Sequence, residues 1–95
     1  MIEYLYNAIR ATAAQDITLT AILTDADGQP IETNCALMLH NDTDMIGKYN
    51  GIYLINGVWN FTIPAEATKD LTGRFWYCIS EKNSNICFKQ PIYLV

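Results

Sequence analysis

The sequence has little of what nucleic-acid-binding or membrane-spanning proteins require. Only 17% of the 95 residues are charged, and ten acidic residues outnumber six basic ones. The net charge of −4, with no cluster of Lys and Arg along the chain, argues against the basic patch of a nucleic-acid binder. No apolar run reaches the roughly 18–20 residues of a membrane-spanning helix. We therefore expect neither nucleic acid nor a membrane as a partner.

Cysteine is scarce and odd in number. The three cysteines are Cys35, Cys78 and Cys87, whereas a disulfide-stapled secreted domain uses an even count. The N-terminal segment also lacks the basic and continuous apolar parts of a secretory signal. We expect a complete reading frame, starting at Met1, that is made in a reducing cytoplasm.

Residues for catalysis or metal binding are equally few. A Ser-His-Asp or Cys-His arrangement would have to use the single histidine, His40, which ends a predicted strand beside a turn. The spacings C-x₂₋₄-C and H-x₃₋₅-H of zinc sites are absent. Asp25-Ala26-Asp27-Gly28 resembles part of a calcium loop but lacks the downstream Glu, and turn chemistry explains it and the D-x-D of Asp42 and Asp44. We predict a protein that is not an enzyme and has no metal or cofactor.

The hydrophobic residues and their spacing predict β-strands. Hydrophobic residues make up 51% of the sequence, which predicts one globular domain over residues 1–95. Segment Asp16–Thr24 alternates apolar residues with threonine, and Val58–Ile63 alternates in the same way, with Trp59 and Phe61 on one side. Asn56-Gly57 is a strong hairpin signal. Short strands and turns at regular spacing favour an antiparallel sandwich or barrel.

Several other segments are less regular. Cys35–His40 reads as a short strand, Met45–Leu54 as short apolar pieces, and residues 64–71 as one helical turn that starts at a proline. The N-terminal segment fits helical spacing (Ile2, Leu5, Tyr6, Ile9) and strand alternation (Tyr4, Tyr6, Ala8) equally, and its tyrosines favour a strand. Pro91 predicts that Ile92–Val95 is an edge strand or a strand that bends.

Aromatic side chains suggest an interaction surface. Phe75-Trp76-Tyr77 places aromatics on both faces of one predicted strand, so that a loop or a partner must cover one face. We favour a partner, and Trp59, Trp76, Tyr77 and Tyr53 are the candidate partner-binding residues. The alternative function is a carbohydrate-binding module in which exposed Trp59, Trp76 or Tyr53 stacks on sugar rings.

The C-terminal hairpin that contains Phe75-Trp76-Tyr77-Cys78 resembles the F–G hairpin of an immunoglobulin-type sandwich, but the antibody disulfide is excluded because Asp16–Thr24, the strand B candidate, has no cysteine. A loop of residues 81–84 sets Ser80 opposite Asn85 and Cys78 opposite Cys87. A loop of residues 83–84 instead sets Cys78 opposite Lys89. We predict free thiols, with Cys78 and Cys87 as the only candidate cross-strand pair.

Residues 16–95 also resemble a phage protein family. The shared features are D-x-D-G-x-P-I in the turn after the threonine-rich strand, I-P-A…L-x-G-R-F-W-Y before the hairpin, and the closing P-I-Y-L. Together they resemble the immunoglobulin-like N-terminal domain of siphophage upper-baseplate proteins. The resemblance implies an immunoglobulin-like antiparallel β-sandwich of about seven strands. It further implies a non-enzymatic virion component (baseplate, tail or capsid decoration), made in the bacterial cytoplasm, that binds other phage structural proteins or further copies of itself.

Overall fold

The structure, a computed structural model, describes residues 2–5, 8–81, 84–85 and 89–95, with side chains for residues 8–81 and 89–95. The elements of this described part follow one another in chain order. They are β1 (Ile2–Leu5), β2 (Ala8–Ala11), β3 (Ile17–Ile22), β4 (Cys35–His40), β5 (Met45–Asn50), β6 (Ile52–Tyr53), β7 (Val58–Ile63), α1 (Ala65–Thr68), β8 (Gly73–Glu81), β9 (Ser84–Asn85) and β10 (Gln90–Leu94).

The strands form two sheets that pack face to face. The larger sheet has the order β1-β2-β10-β8-β4-β5, with β9 paired to the far end of β8, and the smaller sheet has the order β3-β7-β6. Every pair is antiparallel except β2 and β10, which run parallel, with Ile9 opposite Ile92. The two sheets therefore join segments that are far apart in the sequence.

The core lies between the inner faces of the two sheets. Alternate residues of each strand point inward, because successive side chains of a strand leave opposite faces. The most deeply buried large side chains are Phe61, Leu37, Leu39, Ile63, Ile92 and Leu94. The predicted alternation of β3 and β7 is confirmed, since Ile17 and Leu19 pack inward while Thr18 and Thr20 stay exposed.

The Asn56-Gly57 hairpin is also confirmed. The Val58 amide donates to the Ile55 carbonyl over 2.9 Å, and φ is positive at both central residues, 52° at Asn56 and 81° at Gly57. These angles define a type I′ turn, whose twist matches that of the flanking strands. Gly57 is required for a second reason, because a Cβ there would lie 2.7 Å from the Leu23 carbonyl oxygen.

The predicted helical turn is present as the single turn α1, which connects β7 to β8. A carboxylate oxygen of Asp16 accepts a hydrogen bond from the Ala65 amide over 2.8 Å. Thr68 is fully buried, and its hydroxyl oxygen accepts a 3.0 Å hydrogen bond from the amide of Ala14, a residue with φ of 62°. No helix in the described part of the chain has the length and apolar character needed to cross a membrane.

Two sequence predictions need correction or refinement. The N-terminal segment is extended, as favoured, but it forms two paired strands, β1 and β2. Of the two alternatives that Pro91 predicted for the last strand, the edge strand is wrong, because β10 pairs with β8 on one side and β2 on the other; a bend in this strand stays a prediction. Proline is tolerated there because pairing with β2 starts only at Ile92. No residue of β2 is paired with Pro91, so none loses a hydrogen bond to its missing amide.

The C-terminal hairpin combines both of the registers that the sequence left open. Near the tip Ser80 lies opposite Asn85, as the first register requires. At the base Tyr77 lies opposite Gln90, which belongs to the second register. The return strand thus has two residues more than β8 between these two pairs. Cys87, and with it the predicted pairing of Cys78 and Cys87, lies outside the described residues.

Candidate protein-binding surfaces

Trp59 belongs to the core. Its side chain is only 3% exposed, and its indole N–H donates a 2.7 Å hydrogen bond to the Ile31 carbonyl. The ring stacks on Phe61 with centroids 6.2 Å apart and contacts Tyr53 at 5.3 Å. The expectation that Trp59 is exposed for a partner or a sugar is therefore wrong. The alternation of β7, which places Trp59 with Phe61 and Ile63, was the sequence signal for its burial.

Tyr53 and Tyr77 also have structural contacts. Tyr53 is half-buried, and its hydroxyl accepts a hydrogen bond from the Gly57 amide over 3.3 Å and donates to Glu32 over 3.4 Å. Tyr77 packs against the core from the inner face of β8, with Phe75 on the same side. These contacts hold both rings in the sandwich, which leaves Trp76 as the predicted residue that faces outward.

Trp76 lies on the outer face of the larger sheet. Its half-buried ring lies under the guanidinium of Arg74, which is 5.0 Å from the ring centroid. Its indole N–H donates to Asp42 over 3.3 Å. Trp76 and Lys89 line one shallow pocket of about 330 Å³, together with Asn41 and Asp42. The site thus offers an aromatic ring beside hydrogen-bonding groups and charges of both signs.

Basic residues gather around Trp76, which the sequence did not predict. Arg10, Tyr93 and Arg74 lie side by side on neighbouring strands β2, β10 and β8. All three point away from the core because they alternate with buried residues such as Ile9 and Ile92. We call the set formed by Arg10, Arg74, Trp76, Lys89 and Tyr93 the basic aromatic surface.

The cations of this surface have no acidic partner within the described side chains. There the one ion pair is Lys69–Glu66, at 2.7 Å. Arg10 lies opposite Glu3 of β1, whose side chain is not described. Exposed arginines that neighbour an aromatic ring and lack a carboxylate are typical of contact surfaces. The sequence could not reveal the set, because its members are up to 83 positions apart and only strand pairing unites them.

His40 and Cys78 meet on the same outer face. The Cys78 sulfur lies 3.7 Å from His40 Nε2, and Cys78 is only 1% exposed. Burial, and secondarily the positive charge of Lys89, lowers the pKa of His40 below 6.5. Within the described residues, no three His, Cys, Asp or Glu side chains lie close enough together to hold a metal ion.

A second pocket, of about 610 Å³, opens beside the start of β4. Its lining includes Cys35, Lys48, Asn50 and Tyr53. Cys35 is a free buried thiol, and burial, followed by the negative charge of Glu81, raises its pKa above 9.0. A protonated thiol is a poor nucleophile, so this pocket lacks an activated group at Cys35.

The outer face of the smaller sheet carries exposed apolar side chains. Ile22 is 72% exposed and lies opposite Val58, whose carbonyl accepts a hydrogen bond from the Leu54 amide. Leu54 is 50% exposed, and Ile55 in the adjoining turn is 65% exposed. We call Ile22, Leu54 and Ile55 the apolar surface. Ile22 follows Thr18 and Thr20 on the outward face of β3, where the alternation predicts another threonine. This isoleucine in a threonine position was the sequence signal for an exposed apolar surface.

Comparison with known proteins supports the fold. No protein-family model and no curated protein matches the chain. Among solved structures, the chain is similar to the Lin-41 filamin domain, with a TM-score of 0.66 and 13% identity over 90% of this chain and 82% of that one. It is also similar to a putative glycoside hydrolase from Bacteroides vulgatus, with a TM-score of 0.58 and 13% identity over 90% of this chain, but it spans only 16% of that protein.

These similarities establish the fold and no more, because both identities are far below those that relate functions. The chain is an immunoglobulin-like antiparallel β-sandwich, as the sequence predicted. Its shorter strands β1, β6 and β9 bring the strand number above the seven expected.

Proposed function

We propose that the chain is a non-enzymatic assembly module of a phage or prophage virion, which acts by binding other proteins. The observation that carries the protein-binding role is the apolar surface. Ile22, Leu54 and Ile55 expose between 50% and 72% of their side chains at one end of the smaller sheet. Clustered exposed apolar side chains favour burial against another protein. The phage assignment rests on the sequence resemblance over residues 16–95.

The test is incorporation into particles. A tagged chain is produced in the bacterium whose phage or prophage encodes it, and particles are purified on a density gradient and immunoblotted. We expect the tagged chain in the particle fraction. The variant Ile22→Thr/Ile55→Thr should fold but be depleted from particles, since threonine keeps strand propensity without the apolar surface. Thr18→Ser, on the same strand outside the apolar surface, is the control. A chain absent from purified particles would exclude the virion role.

Carbohydrate binding is the second candidate, and the surroundings of Trp76 favour it. The half-buried ring lies beside Asn41, Asp42 and Lys89 around one pocket, and sugar sites combine an aromatic platform with a few hydrogen-bonding groups. The test is isothermal titration calorimetry with a panel of polysaccharides, for the wild type and for Trp76→Ala, because this measurement does not use tryptophan as the reporter. Binding that Trp76→Ala abolishes supports this function, and no binding heat with any polysaccharide removes it.

A further inference from the structure

An acidic turn lies at the same end of the smaller sheet as the apolar surface. The turn that follows β3 contains Asp25 and Asp27, and it stays close to the hairpin at Gly57 because the Leu23 amide donates to the Gly57 carbonyl over 2.8 Å. The Asp25 carboxylate is occupied within the turn, where it accepts hydrogen bonds from the amides of Asp27 and Gln29, both at 2.9 Å. Asp27 is exposed, and its side chain makes no hydrogen bond or ion pair within the described part of the chain.

The basic aromatic surface has the complementary composition. It presents Arg74 and Lys89 around the half-buried ring of Trp76, whereas the apolar surface presents aliphatic side chains beside Asp27. Exposed cations thus outnumber the one carboxylate, that of Asp42, around Trp76 on the larger sheet, whereas an unpaired carboxylate lies at the same end of the smaller sheet as an apolar cluster. Complementary potentials of this kind steer two surfaces together and fix their register.

The two surfaces cannot meet within one molecule. Arg74 and Trp76 lie on the outer face of the larger sheet near the start of β8, and Ile22 lies on the outer face of the smaller sheet near the end of β3. Ile22 lies opposite Val58, and the adjacent Trp59 lines one pocket with Cys35 at the start of β4 and Ser80 near the end of β8. The Ile22 end of the sandwich is therefore the end far from Arg74. The surfaces therefore lie on opposite faces and at opposite ends of the domain.

We propose that copies of this chain associate head to tail, with the acidic turn and apolar surface of one copy against the basic aromatic surface of the next. In this contact Asp27 of one copy faces Arg74 of its neighbour, and Ile22 and Ile55 pack on Trp76 and Tyr93. Because the two contacting surfaces differ, the contact is heterologous and repeats from copy to copy, giving a ring or a filament. The inference builds on the protein-binding role proposed above but is independent of the virion assignment.

The experiment measures weight-average mass by sedimentation equilibrium. At about 1 mM protein and about 20 mM NaCl, we expect the wild-type mass to exceed the 10.7 kDa of one chain, and to decline in about 0.5 M NaCl because salt screens exposed charges. Arg74→Glu should weaken association about tenfold, which corresponds to the loss of one complementary charge contact at low salt.

Charge exchange makes the test specific. Arg74→Glu/Asp27→Lys keeps the net charge of −4 and restores opposite charges across the contact, so association should return towards the wild-type level. The matched control is Arg74→Glu/Asp70→Lys, which has the same net charge but leaves Glu at position 74 facing Asp27, so it should stay weak. Circular dichroism spectra that match the wild type establish that each variant is folded.

Several results would overturn the proposal. One is a wild-type mass that equals one chain at every concentration and salt. Another is equal recovery by the two double variants, since net charge alone would then explain the loss. Binding of the wild type to heparin or to a polyglutamate peptide, without self-association, would assign the basic aromatic surface to a different anionic partner. The particle experiment on Ile22→Thr/Ile55→Thr measures incorporation into virions, and its result does not depend on the mass that this experiment measures. The two proposals can therefore fail separately.

Discussion

Replacing Trp59 by Phe tests whether this tryptophan stabilises the core or serves as a binding residue. The change removes the indole N–H that donates to the Ile31 carbonyl over 2.7 Å. A buried carbonyl left without its donor costs about 1–3 kcal/mol. The smaller ring leaves a cavity of a few tens of Å³, which adds about 1 kcal/mol at about 24 cal/mol per Å³. We therefore expect Trp59→Phe to lower the free energy of unfolding by about 2–4 kcal/mol.

That loss is a large part of the stability of a small domain, which is about 5–15 kcal/mol. For a domain of this size it corresponds to a fall in melting temperature on the order of 10–25 °C. The assay is urea denaturation followed by far-ultraviolet circular dichroism. Tryptophan fluorescence is unsuitable, because Trp59→Phe removes one of the two tryptophans of the chain.

The matched control is Trp76→Phe. Trp76 is half-buried, its 3.3 Å hydrogen bond to Asp42 is exposed, and a phenyl ring still lies under Arg74. We expect its unfolding free energy to change by less than about 1 kcal/mol. Equal losses for the two variants, or an unchanged midpoint for Trp59→Phe, would refute the assignment of Trp59 to the core and return it to the candidate binding residues.

Three further predictions are checked by the same stability assay, by an NMR titration and by an alkylation rate. Gly57→Ala should lower the free energy of unfolding by more than about 2 kcal/mol, because its Cβ would lie 2.7 Å from a carbonyl oxygen. Gly28→Ala, with φ of 80° and nothing within 4 Å of its Cβ, should lower it by about 1 kcal/mol. Equal losses of stability would contradict the steric argument. The NMR titration midpoint of His40 should lie below 6.5, and Lys89→Gln should raise it in part, since burial is the larger cause. Because the folded pKa is lowered, the stability that neutral His40 contributes is complete above pH 6.5 and is lost as the pH falls towards the folded pKa; a midpoint above 6.5 would reverse the sign. Alkylation of Cys35 by iodoacetamide at pH 8, followed by peptide mapping, should be much slower in folded than in urea-unfolded protein, since burial raises its pKa; equal rates would exclude a buried thiol.

The parts of the fold that were predictable are those specified by neighbouring residues. Strand β4 spans Cys35–His40, as read from its short apolar pattern. The Asn56-Gly57 turn follows from the ease with which these two residues adopt positive φ. Helix α1 lies within the predicted residues 64–71. In each case the local chemistry and the tertiary structure favour the same conformation.

The unpredictable parts depend on which strands pair. Pro91 disfavours a central strand by its own chemistry, yet β10 is central because both neighbours can pair around the missing amide. The basic aromatic surface exists only because β10 brings Tyr93 between Arg10 and Arg74. Trp59 and Trp76 look alike as residue types, and their opposite environments follow from which face of a strand each occupies.

The parallel pairing of β2 with β10 also constrains the order of folding. Strand β10 occupies the gap between β2 and β8, and beyond it the Val95 amide donates to the Ala11 carbonyl over 3.0 Å. A nascent chain emerging from the ribosome therefore exposes the edges of both β2 and β8 until residues 90–94 have been synthesised. Closing so long a loop adds little to the entropic cost but makes the final contact a late and slow one. The larger sheet is therefore completed only once residues 90–94 have emerged, and until then its open edges are substrates for chaperones.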